Sequence, residues 1–115
     1  MTREEALFRA AENYEVHKIA AETWSAPLLR SGERERAEIC KIIIDVIMGK
    51  TPTGNIKEAI SALKKEEADY KLKLAYSMAE SIYSGHSKEY KECVEWYGCC
   101  IDALEDYLHK NRGED

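Results

Sequence analysis

Between Lys65 and Tyr83 the chain reads KEEADYKLKLAYSMAESIY, and from Tyr70 onward nearly every face of a helix would carry an apolar or small residue. A helix apolar on one stripe sits at a surface; one apolar most of the way round needs cover on several sides, so this stretch is expected at the centre of its bundle. The preceding pattern is also helical. Thr2 and Glu5 have the spacing of a capping box, and Leu7, Ala10, Ala11, Tyr14, Ala21 and Trp24 recur toward a stop near Ser25, ahead of Pro27. Ser31 and Gly32 supply a second break, and Leu28 and Leu29 in the corner between are expected to be partly buried as a plug for the bundle end.

From Glu33 to Met48, Ile39, Ile42, Ile43, Val46 and Ile47 form one stripe, with Gly49 placed for a C-terminal cap. The isoleucines are β-branched, yet their spacing and the charged lead-in ERERAE predict helix rather than strand. KTPTGN is the clearest loop, and Asn55 is suited to cap a third helix. Its shared face runs through Ile56, Ala59, Ile60, Leu63, Tyr70, Leu74 and Met78 to about Tyr83. After the turn SGHS, Ser87 is the expected cap of a fourth helix carrying Tyr90, Cys93, Val94, Tyr97, Cys100, Ile101, Leu104, Tyr107 and Leu108. The fold class is all-α: a small antiparallel helical bundle of about four helices, expected as a single domain over residues 1–115.

Composition narrows the partners more than the fold. Hydrophobic residues make up 44% and charged residues 34%, a balance that excludes a disordered chain and predicts a highly charged surface. The net charge of −5 argues against general nucleic-acid binding and against anionic membranes, both of which call for clustered Lys and Arg. IIIDVIM is the longest greasy run, too short to span a bilayer and interrupted by Asp45. Acids occupy the N-terminus where an export signal has a basic flank and an apolar core, so a cytoplasmic location is expected. Cys40, Cys93, Cys99 and Cys100 are then expected as free thiols, with Cys93 and Cys100 on one helix face at a spacing unlike a zinc site. His17, His86 and His109 do not cluster, and Asp106-x-x-His109 is at most half of a metal site.

Two carboxylate pairs carry the chemistry. Glu35-x-x-Glu38 and Glu66-x-x-Asp69 each project two acids from one helical face, and antiparallel packing of the second and third helices would bring four oxygen donors together around Mg²⁺. The arrangement resembles the all-α nucleoside triphosphate pyrophosphohydrolases, including the dimeric dUTPases and phosphoribosyl-ATP pyrophosphatases, with their E-x-x-E and E-x-x-D signatures. That resemblance implies Glu35, Glu38, Glu66 and Asp69 as metal ligands for phosphoanhydride hydrolysis. The competing expectation is a solvated acidic face balanced by Lys64, Lys65 and Lys71. Glu35 and Glu67 fall on apolar stripes, a position that calls for a helix end at water or an inter-helix ion pair.

Aromatics favour a binding role. Seven tyrosines and two tryptophans lie mainly on the stripes, and Tyr83, Tyr90, Trp96 and Tyr107 are the expected interface anchors. The leading expectation is a small acidic interaction module or adaptor with no catalytic activity of its own. It would bind a protein partner or itself as a homo-oligomer, and would need no cofactor. The Mg²⁺-dependent pyrophosphohydrolase is the alternative.

Overall fold

The computed structural model describes residues 1–79 and 86–111. Within them the chain forms four helices, α1 (Arg3–Thr23), α2 (Pro27–Ile47), α3 (Ile56–Ala79) and α4 (Ser87–Asn111). None is long and apolar enough to cross a membrane. The ends follow local chemistry. Thr2 caps α1 by accepting from the Glu5 backbone N–H at 3.1 Å, and Asn55 caps α3 through the Glu58 N–H at 3.1 Å. At the end of α2, Gly49 has φ +78°, and the amides of Gly49 and Lys50 return to the carbonyls of Val46 and Asp45, which is the Schellman closure. Gly54 also has positive φ, and a Cβ there would come within 3.1 Å of Ile42 Cδ1. The loop is therefore pinned against α2.

The second helix starts earlier than expected. Ala26 is extended, as a residue before proline should be, but Pro27 itself takes the first helical position, where its missing N–H costs nothing. Ser31 and Gly32 lie inside α2 rather than breaking it; one interior glycine costs only about 1 kcal/mol relative to alanine. Leu28 and Leu29 are consequently exposed, at 87% and 53%, and plug nothing. Ser87, expected as a cap, is the first helical residue of α4, whose first turn closes through Tyr90 N–H to His86 C=O.

The helices pair as two hairpins, α1 with α2 and α3 with α4. α2 and α4 each meet the other three helices, whereas α1 and α3 do not touch. The shared core draws on the first half of α1 (Ala6, Ala10), the second half of α2 (Cys40, Ile42, Ile43), the first half of α3 (Ala59, Ile60, Leu63) and the middle and second half of α4 (Trp96, Cys100, Ile101, Leu104). In antiparallel hairpins these halves lie at the same end. Four helices therefore close on each other at one end, and beyond it each hairpin packs chiefly within itself.

Trp96 links the hairpins. It is 5% exposed, and its Nε1 donates to the Ala6 carbonyl at 3.0 Å, an approach permitted by the small, fully buried Ala6 and Ala10. Arg3 reaches across to Asp102 and Asp106, both at 3.4 Å. Lys110, with help from Arg3, holds the Asp106 carboxyl below the usual carboxylate range. These exposed pairs orient more than they stabilise. The resulting shape is flat, 50 × 41 × 21 Å, and its radius of gyration of 15.4 Å exceeds the roughly 13 Å of a compact chain of this length.

The stretch expected at the centre is instead peripheral. Between Tyr70 and Ala79 only Ser77 is buried, while Leu72, Tyr76 and Met78 are 58%, 65% and 72% exposed. Met78 and, on the first hairpin, Ala11 and Trp24 likewise lie outside the core they were assigned to.

Candidate functional site

The four acids do not converge. Their convergence required α2 and α3 to pack side by side, but those helices barely touch because each is taken up by its own hairpin partner. Glu35 and Glu38 line an open groove of about 580 Å³ between α2 and the start of α3, across from Glu58. Glu66 faces a different cleft, and Asp69 is exposed. Among the described residues no three His, Cys, Asp or Glu side chains are placed to hold a metal ion. Glu35, expected on the apolar stripe, is exposed. Glu67 is half-buried, paired with Lys71 at 3.5 Å, and lies so close to α4 that a Cβ at Gly98 would approach its Oε2 to 3.3 Å.

Among the described residues, the buried carboxylates are two that the sequence pattern did not single out. Glu33 is 5% exposed; its Oε1 accepts from Arg36 at 3.1 Å and its Oε2 is in close contact with His17 Nδ1 on α1. Asp45 is 6% exposed and takes Lys41 at 3.0 Å. Glu33-x-x-Arg36 and Lys41-x₃-Asp45 have the spacing of helical ion pairs, which was the legible signal. Their burial follows only from how α1 lies on α2.

Of the expected anchors, Trp96 is spent in the core. Tyr90 and Tyr107 are half-buried, Tyr90 with its ring 6.1 Å from that of Tyr70, and Tyr83 lies outside the described residues. All four cysteines are free, with Cys40 and Cys100 buried and Cys93 and Cys99 half-buried. Burial pushes the Cys40 thiol up to about 11. It raises Cys100 as well, with Cys99 and Cys40 adding to the shift and Arg9 opposing it.

The surface most in need of a partner is the outer face of α3. Taking Leu63 as facing the core, steps of about 100° place Ala68, Leu72, Ala75 and Ala79 on the opposite side, with Tyr76 alongside. All five are exposed. Their spacing of four and three residues is that of a coiled-coil seam. The second half of α3 is thus two-faced, one seam packed on α4 and the other uncovered. Phe8, Val16 and Ile19 on the outer side of α1 are also exposed, but Glu12 and Glu15 lie among them.

No protein-family model, curated protein or solved structure matches the chain.

Proposed function

We propose that this protein is a helix-face interaction module that pairs with a second copy of itself through the outer seam of α3. The observation carrying the proposal is that Leu72 and Tyr76, both more than half exposed, alternate with Ala68, Ala75 and Ala79 over three turns. Such a face holds both projections and hollows. In an antiparallel pairing, a two-fold axis between Leu72 and Ala75 sets Leu72 against the partner's Ala75 and Ala68 against the partner's Ala79. No like charges are opposed along the described part of this seam.

Size sets the strength. A seam of 12 residues is about 18 Å long, and its exposed apolar patch, on the order of several hundred Å², falls below the roughly 800 Å² per partner of a stable interface. A weak, reversible dimer is expected rather than an obligate one. Sedimentation equilibrium should show a monomer–dimer transition as concentration rises toward about 1 mM, the limit of a weak pair. Leu72→Glu should leave a monomer of unchanged helicity, because Leu72 lies outside the buried core. A wild-type monomer across that whole range sinks the proposal.

A further inference from the structure

Where the two hairpins leave their shared core they enclose a cleft of about 410 Å³, a size in the range of small-ligand sites. The first hairpin lines it with Arg9, His17 and Arg36, the second with Glu66, Tyr70 and Tyr97. Opposite charges therefore approach from the two hairpins.

Two of these charges lack a counter-ion among the described residues. Arg9 is half-buried; its guanidinium lies over the Trp96 ring, 5.9 Å from the centroid, and its Nη2 donates to Cys93 Sγ at 3.3 Å. A thiol sulfur is a weak acceptor, and most of the five guanidinium donors stay unspent. No carboxylate of the described residues pairs with Arg9. Across the cleft Glu66 is also half-buried, and it makes no ion pair or hydrogen bond among the described residues. Its charge, after burial itself, raises the phenol of Tyr97, so it stands beside a protonated ring. Tyr70 and Tyr97 lie 5.6 Å apart at an interplanar angle of 32°. The other basic groups lining the cleft are engaged, since Arg36 and His17 each hold one oxygen of buried Glu33.

Partly desolvated charges are costly when unpaired, and here one of each sign faces a common space from different hairpins. We infer that the cleft binds a small zwitterion of amino-acid or dipeptide size. Its carboxylate lies on the fork of Arg9, and its ammonium lies on Glu66 beside Tyr70 and Tyr97. A simple anion would leave Glu66 unpaired, and a polyamine would leave Arg9 unpaired. The site is independent of the α3 seam, which lies on the other side of its helix.

Calorimetric titration of the full chain with L-arginine, L-phenylalanine and glycylglycine, against acetate and methylammonium as half-ligands, tests the inference. Saturable binding of at least one zwitterion, with neither half-ligand binding at the same concentration, is the expected result. Arg9→Gln and Glu66→Gln should each weaken it by about tenfold or more, the loss expected for one charged hydrogen-bonded contact, while Lys57→Gln, outside the cleft, should not. Should Arg9→Gln fail to fold, amide shift mapping on the wild type decides, with perturbations around Arg9, Glu66, Tyr70 and Tyr97 expected. No saturable zwitterion binding, acetate binding as well as the zwitterion, or shifts confined elsewhere would overturn it.

Discussion

Cys40 is a small side chain with a measurable signature. Its thiol titrates near 9 when free and near 11 in the fold, because burial disfavours the thiolate. Between those values the folded chain holds a proton that the unfolded chain has lost, so stability is intact below about pH 9 and falls as pH rises toward about 11. The loss is on the order of 2 kcal/mol at the top of the window, since one pKa unit corresponds to about 1.4 kcal/mol. Cys100 and Tyr97, whose protons are also held by burial, act in the same direction. Thermal melts across that window should show the decline, and Cys40→Ala should flatten it. Alkylation of the folded chain near neutral pH should modify Cys93 and Cys99 well before Cys40 and Cys100, a ranking that peptide mass mapping reads directly.

Helix ends were legible because their determinants are local. Thr2, Asn55 and Gly49 cap where their chemistry says, and each needs only its own few neighbours. Gly49→Ala forces a side chain into φ +78° and should cost about 1 kcal/mol, seen as a lower melting temperature with unchanged helicity. Pro27 shows where the local rule was read on one side only: it closes off α1 and at the same time opens α2. Which stripe is covered is not a local property. Tyr70 to Ala79 reads as a core helix because it has two apolar seams, but the pattern of one helix does not say whether the second seam meets its own chain. The acids Glu35, Glu38, Glu66 and Asp69 failed to meet for the same reason. Their spacing fixes a face, whereas their convergence depended on a pairing of α2 with α3 that the hairpins do not make. The cleft charges Arg9 and Glu66 come from helices that do not touch, so no spacing in the chain announces them.

At the scale of the whole molecule, stability is concentrated at one end. The fully buried Ile43, Cys100 and Leu104 belong to the halves that close on each other, and burying a side chain such as Ile43 or Leu104 contributes about 1.5–3 kcal/mol. The outer halves of the hairpins have a single packed face. That places both the α3 seam and the cleft on elements held from one side, where binding has something to add. It also divides the chain kinetically. Amide hydrogen exchange should be slowest at Ile42, Ile43, Cys100 and Leu104 and orders of magnitude faster from about Val16 to Gly32 and from Leu72 to Ala79, as the outer turns open without global unfolding. A flat protection profile along α3 would contradict this. A chain built this way behaves as a clasp with a firm spring and compliant jaws: whatever seats between or upon the jaws is read out as slowed opening.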